Sequence, residues 1–183
     1  MRVIAGTARS LPLKTPQGLD TRPTTDRIKE TLFNILQMDI PGCVFVDLFC
    51  GSGGIGIEAL SRGARKVYFA ENAKEPLNCL LDNLKFTRFE DRAVVLKQDA
   101  VAALTGISEK EVDILFMDPP YGQEHERRVL EALQGMRYVT DSTMIIVEAA
   151  LDTQMDYARE LGFYVYREKR YKTNKHVFIK KAE

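Results

Sequence analysis

The chain has 183 residues, 45 % apolar and 28 % charged, with 26 basic and 26 acidic side chains and a formal net charge of zero. This composition excludes a disordered or fibrous chain and suits a globular protein with a core of its own. No apolar run approaches the roughly 18–20 residues of a membrane span, and Met1 leads straight into Arg2-Val3-Ile4 without a leader pattern, so neither insertion nor secretion is expected.

The zero conceals a segregation of sign. Residues 1–31 carry a net +3, residues 32–158 a net −8 and residues 159–183 a net +5. Basic ends around an acidic middle can be two halves of one polyanion-binding face, or merely solvated tails and sheet-edge guards. Cys43, Cys50 and Cys79 lack metal-ligand spacing and read as free thiols of a reducing, cytoplasmic compartment. Two isolated histidines, His125 and His176, suggest no metal site.

In chain order, residues 2–5 and 11–14 read as a β-hairpin around Gly6–Ser10, followed by a loop with Pro16, Gly18 and Pro23. A helix is expected from Thr24-Thr25-Asp26, whose side chains can cap its free N–H groups, with Ile28, Leu32, Phe33, Ile35 and Leu36 as its apolar face. From residue 43 strands and helices alternate. Strands are predicted at 43–49, 66–70, 93–97, 112–117 and 144–148, and helices at 55–61, 74–86, 100–104 and 126–134. A closing antiparallel hairpin pairs 164–169 with 177–180. The expected fold class is α/β: a mostly parallel sheet with helices on both faces, a C-terminal antiparallel hairpin, and an N-terminal hairpin-and-helix extension. Residues 1–22 are read as the hairpin extension and 23–183 as the main domain.

Two motifs carry the chemistry. The first is Gly51-Ser52-Gly53-Gly54-Ile55-Gly56 between a strand and a helix, a G-x-G-x-x-G turn that suits a tight bend, close approach of a ligand and helix-on-strand packing. Glu71, at the end of the second strand, can bind the ribose hydroxyls of an adenosine. NAD and S-adenosylmethionine both satisfy these features. Asp47, inside the first strand's end, would repel a pyrophosphate but suits the ammonium of S-adenosylmethionine, unless it only caps the turn's amides. Asp99 can accept from an adenine amino group or cap the helix that follows it.

The second motif is Asp118-Pro119-Pro120-Tyr121 at the carboxyl edge of a buried strand. Two prolines remove two donors and hold the backbone extended, leaving the Asp118 carboxylate and nearby carbonyls as fixed acceptors beside an aromatic ring. Such a set fits the exocyclic amine of a nucleobase, with Tyr121 stacked on the base. A rigid turn with Tyr121 packed into the core is the bland alternative.

The order D-x-F-x-G-x-G, an acidic residue, then D-P-P-Y resembles class I S-adenosylmethionine-dependent methyltransferases that act on exocyclic amines. Arg22-Pro23-Thr24-Thr25-Asp26-Arg27, with Glu30-Thr31-Leu32-Phe33-Asn34 and the opening Arg2-Val3-Ile4-Ala5-Gly6, is similar to the bacterial RsmD family, which methylates the N2 amine of one guanine in small-subunit (16S) ribosomal RNA. The resemblance implies a Rossmann-like fold and S-adenosylmethionine held by Asp47, Phe49, Gly51, Gly53, Glu71, Asn72, Asp99 and Ala100. It implies catalysis by Asp118, Pro119 and Tyr121 through positioning of the amine, without a strongly shifted base. Arg9, Arg22 and Arg27 would contact 16S ribosomal RNA, in an assembling small subunit, together with Tyr121 and the tail residues Lys169, Arg170 and Lys172. Arg22 and Arg27 can instead pair with carboxylates near the cofactor. A monomer is expected. The tail departs from the family's Tyr-Gly-x-Thr turn, with Tyr171-Lys172-Thr173-Asn174 in its place. D-P-P-Y is shared with adenine-N6 methyltransferases, so that activity stays open, as does a non-catalytic RNA-binding module. An NAD-dependent oxidoreductase is disfavoured by Asp47.

Overall fold

Short apolar runs become strands where helices can cover both of their faces. In the computed structural model, which describes residues 1–17 and 26–183, the parallel strands are β1 (Val44–Leu48), β2 (Lys66–Ala70), β3 (Ala93–Leu96), β4 (Ile114–Met117) and β5 (Met144–Ala150). Helix α1 (Asp26–Ile35) precedes them, and α2 (Gly54–Ser61), α3 (Lys74–Thr87), α4 (Ala100–Ala103) and α5 (His125–Leu133) connect them. The closing hairpin is β6 (Phe163–Arg170) and β7 (Asn174–Lys181). It inserts so that β7 lies antiparallel between β5 and β6, giving the order β3-β2-β1-β4-β5-β7-β6. The expected α/β class, its parallel body and its antiparallel end are all present.

The strand order reverses between β1 and β4, and ligands of open α/β sheets bind outside the carboxyl ends at such a point. One face of the sheet (Val46, Leu48, Leu115, Val147) is covered by α4 and α5 through Ala103, Val129 and Leu133. The other (Phe45, Phe69, Phe116, Phe178) is covered by α1, α2 and α3 through Phe33, Ile57 and Leu80.

The N-terminal runs double back on each other as expected, but the pairing is short. Val3 N–H donates to Leu11 O, Leu13 N–H to Met1 O and Ser10 N–H to Val3 O at 3.0, 2.9 and 2.8 Å, around one antiparallel bridge between Arg2 and Pro12. The segment spends several of its other amides on α2. Ile4 N–H and Ala5 N–H donate to the Glu58 carboxylate at 2.8 and 3.1 Å, and Ala8 N–H donates to Ser61 Oγ at 2.9 Å. Val3, Ala8 and Leu13 are buried in the same apolar cluster as α1 and α2. Pro23, Thr24, Thr25 and the 22/23 boundary lie outside the described residues. β5 runs two residues further than expected because β7 pairs with it as far as Ala150.

Glu58 is fully buried, and Arg62 donates to it at 2.8 Å while Lys29, also buried, lies 3.6 Å away. Burial pushes the Lys29 ammonium down, and Glu58 opposes that shift. Removing one member of a buried pair strands the other charge. Glu58→Ala is therefore expected to cost about 3–5 kcal/mol in urea denaturation. Arg2→Ala, at the exposed Arg2–Asp26 pair, should cost less than about 1 kcal/mol.

Candidate active site

The glycine turn is built from left-handed residues. Phe49, Gly51 and Gly53 have φ of 57, 55 and 90°. A Cβ on Gly53 would run into Leu80, whereas one on Gly51 would meet nothing within 4 Å. Gly53 therefore serves packing, and Gly51 leaves its backbone open to an approaching molecule. Gly56 lets α2 lie on Phe69 and Val67 of β2.

Asp47 sits beneath this turn, 1 % exposed, and its Oδ2 accepts from Gly56 N–H at 2.8 Å. The capping role considered for it is thus filled. Burial nevertheless pushes its carboxyl up to about 7; the Gly56 amide opposes this and the Glu71 charge adds to it. Glu71 Oε2 accepts from Gly51 N–H at 3.0 Å, and its Oε1 accepts from Asn72 and Ala73 N–H at 2.9 and 2.8 Å. A carboxylate has about four lone-pair sites, so roughly one is left for a ribose hydroxyl. Asp99 Oδ1 caps α4 by accepting from Val101 and Ala102 N–H, both at 3.1 Å.

A cavity of about 290 Å³ opens at the carboxyl ends of β1, β2 and β3. Five of the expected cofactor residues line it: Phe49, Glu71, Asn72, Asp99 and Ala100. Asp47, Gly51 and Gly53 stand behind it rather than on its wall. From the second motif the wall takes Pro120. The sequence did not point to Ala70, Gln98, Val101, His125, Arg128 and Val129, which complete it. The His125 ring lies 5.6 Å from that of Phe49. Its signal was faint: one histidine at a helix start, with nothing in the spacing to aim it at the turn.

Asp118 lies beyond the end of β4. Met117 pairs with Val147 across the β4–β5 ladder, so the next residues, Asp118 and Glu148, stand side by side. Burial, then the charges of Glu148 and Asp47, hold the Asp118 carboxyl well above the usual range. A strongly shifted carboxyl at this position was not expected, and it arises from burial first and then from sharing one sheet edge with two other acids. Pro119 is buried and Tyr121 is 41 % exposed, so Tyr121 is not a core residue. Arg9 and Arg27 are exposed, as are Arg170 and Lys172, while Lys169 is half-buried. Arg22 lies outside the described residues. Among the described residues no cluster of three or more histidine, cysteine or acidic side chains is arranged to hold a metal ion, and no helix is long and apolar enough to cross a membrane.

Known proteins are similar to this chain in sequence and fold. The family described as "Conserved hypothetical protein 95" matches residues 1–180. Ribosomal RNA small subunit methyltransferase D of Haemophilus influenzae is 36 % identical over 156 residues, 83 % of this chain and 80 % of that protein. The chain belongs to the RsmD family. The Escherichia coli member is 32 % identical over 154 residues, 83 % of this chain and 76 % of its own. The solved Escherichia coli protein yhhF superposes with a TM-score of 0.84 at 30 % identity, covering all of this chain (100 %) and 98 % of that one. The RsmD family has the class I methyltransferase fold, whose members use S-adenosylmethionine.

The raised Asp47 has a consequence for stability. A carboxyl whose folded value exceeds its unfolded value destabilises the fold as pH rises from about 4 to about 7. Asp47→Asn keeps an acceptor for Gly56 N–H and removes the charge. It should stabilise the protein at pH 8 by on the order of 2–4 kcal/mol, with little effect at pH 4, as read by denaturant titration at both values.

Proposed function

We propose that the protein transfers the methyl group of S-adenosylmethionine to the exocyclic N2 amine of a guanine in 16S ribosomal RNA. On this reading it acts in the cytoplasm, as a monomer, on an assembling small subunit. Residues 1–22 would count as an extension, of which the described part, 1–17, packs on the methyltransferase domain, 23–183. The observation that carries the reading is the set of three carboxylates, Asp47, Asp118 and Glu148, at one sheet edge behind an adenosine-sized pocket. Buried negative charge repels a pyrophosphate and suits a cationic cofactor.

Bound there, S-adenosylmethionine supplies an activated methyl group on a positively charged sulfur. Glu71 and Asn72 would hold the ribose, the free Oδ2 side of Asp99 would take the adenine amine, and Gly51 would admit the methionine half against Asp47. Arg128, exposed at the rim, offers a counter-charge to the methionine carboxylate.

An aromatic amine is a poor nucleophile because its lone pair is spread into the ring. Asp118 and the Pro119 carbonyl can each accept one N–H, which turns the lone pair toward the methyl group. Two prolines and the β4 end prevent this pair of acceptors from drifting, and positioning of that kind carries most of the acceleration. The target base must leave its stack, and the exposed Tyr121 ring is the platform on which it would rest.

Three substrates tested in parallel decide the reading: naked 16S ribosomal RNA, partly assembled small subunits and DNA, each with labelled cofactor. N2-methylguanosine in the RNA hydrolysate is expected. N6-methyladenosine would transfer the assignment to the adenine alternative, and labelling of DNA alone would overturn it. Asp118→Ala should lower methyl transfer by about a hundredfold or more while cofactor binding survives. Joint loss of both would instead mark Asp118 as a folding residue.

A further inference from the structure

The closing hairpin holds a chain of donors that the reading above leaves unused. Asn174 Nδ2 donates to Glu148 Oε1 at 2.8 Å, and His176 Nε2 lies 3.2 Å from Glu148 Oε2. On the far side of the ring, Nδ1 lies 3.0 Å from the Tyr171 hydroxyl. If Tyr171 donates to Nδ1, the proton of the neutral ring sits on Nε2 and points at Glu148. Every donor then converges on one carboxylate. His176 is fully buried and Asn174 is 4 % exposed. Because its nitrogen must face the carboxylate, Asn174 leaves its own Oδ1 buried without a partner. That is a cost in stability, and it is accepted at a residue whose visible task is to hold Glu148.

Asp118 has no such support: among the described residues its side chain accepts no hydrogen bond. Asp118, Glu148 and His176 stand at the ends of three neighbouring strands, with Glu148 paired to His176 and Lys169 of β6 paired to His176 beyond it. From the other side Asp118 feels Asp47 on β1, which in turn feels Glu71. Burial and the neighbouring carboxylate together oppose ionisation of Asp118, which has no donors of its own to offset them.

We propose that Glu148, clamped by His176 and Asn174, is a positioning residue that fixes a carboxylate beside Asp118, so that Asp118 sheds its proton when a cationic cofactor binds and takes one back from the methylated amine. This rests on the methyl-transfer reading. The bonds balance as follows. The amine nitrogen forms the new N–C bond with its lone pair, and the C–S bond breaks with its electron pair left on sulfur. The N–H bond breaks with its pair left on nitrogen, and the proton goes to an Asp118 oxygen. A positive sulfur offsets Glu148 and Asp47 and keeps Asp118 ionised as an acceptor for the amine. When that charge vanishes with transfer, Asp118 regains its hold on a proton at the step where the amine must lose one. The sign of the pH dependence follows: affinity for the cationic cofactor rises with pH as Asp118 ionises, while affinity for the neutral thioether product changes little.

Proton release on binding is measurable by calorimetry near neutral pH in buffers of different ionisation enthalpy. The wild-type protein is titrated with S-adenosylmethionine and with S-adenosylhomocysteine, which lacks the charge. Release of about one proton with the first and little with the second is expected. Asp118→Asn should abolish the release while both ligands still bind. Glu148→Gln and His176→Leu, checked for folding by circular dichroism, should each reduce it by roughly half or more, and His176→Gln, which keeps an N–H donor, should restore part of it. Equal release with both ligands overturns the proposal, as does unchanged release in Asp118→Asn, which would locate the proton on Asp47. Failure of either ligand to bind overturns the methyl-transfer reading, and this one with it.

Discussion

Asp47, Asp118 and Glu148 occupy the carboxyl ends of three adjacent parallel strands, and among the described residues the charges that act on the Asp47 and Asp118 carboxyls are those of other acids. Burial, with the Glu71 charge added, pushes the Asp47 carboxyl up to about 7, and burial, then Glu148 and Asp47, holds Asp118 well above an ordinary carboxyl. A fold selected only for stability would replace such a set with apolar or amide side chains. Its presence here fits the proposed cationic cofactor, whose positive charge would offset that of the acids. The rest of the architecture serves this edge. Helices on both faces exclude water from it, the glycine turn admits a ligand beside it, and the prolines after β4 keep Asp118 from swinging away.

The turn itself is supported from an unexpected direction. Asn83 of α3 is 1 % exposed, and its Nδ2 donates to Ser52 O within the turn and to Lys14 O in the N-terminal segment, both at 3.0 Å. Its Oδ1 accepts from Lys14 N–H at 2.8 Å. One buried amide thus joins the N-terminal segment to the backbone of the glycine turn. Glu58 performs the matching task at the other end of that segment, where it holds Ile4 and Ala5 to α2. The segment is fastened to the two helices that flank the turn, so its displacement would be felt at the site even though none of its residues lines the pocket.

Much of this was legible in the residues. Strand–helix alternation from Val44 onward shows in period and punctuation, and β2 matches its expected span of Lys66–Ala70. The glycine turn, Glu71, Asp99 and D-P-P-Y stand out because each is a local pattern with a local physical reason. What escaped was non-local. The N-terminal hairpin looked self-contained because β-like runs flank a glycine, and no local feature says that Glu58, more than fifty residues away, will take its amides. The Glu148–His176–Tyr171 chain escaped likewise. Its members belong to different strands, and only the insertion of β7 between β5 and β6 brings them together. His125 and Arg128 became pocket residues through the placement of α5, which no spacing encodes.

The segregated charge now has a spatial counterpart. Much of the negative charge that matters is interior: Asp47, Glu58 and Glu148 are all nearly or fully buried. Arg9, Arg27, Arg167 and Arg170 are exposed. On β6 the exposed rings of Tyr164 and Tyr166 lie 6.5 Å apart with Lys180 over the latter, an aromatic and basic edge of the sheet. A surface potential is set by charges that reach solvent, since buried ones act mainly on their neighbours. The formal balance of 26 against 26 therefore adds two populations that act on different partners. For a protein that must hold a small cation inside and meet a polyanion outside, neutrality on paper is the expected result of satisfying both demands. The exposed basic ends, rather than the total, govern the encounter with RNA on the proposed reading.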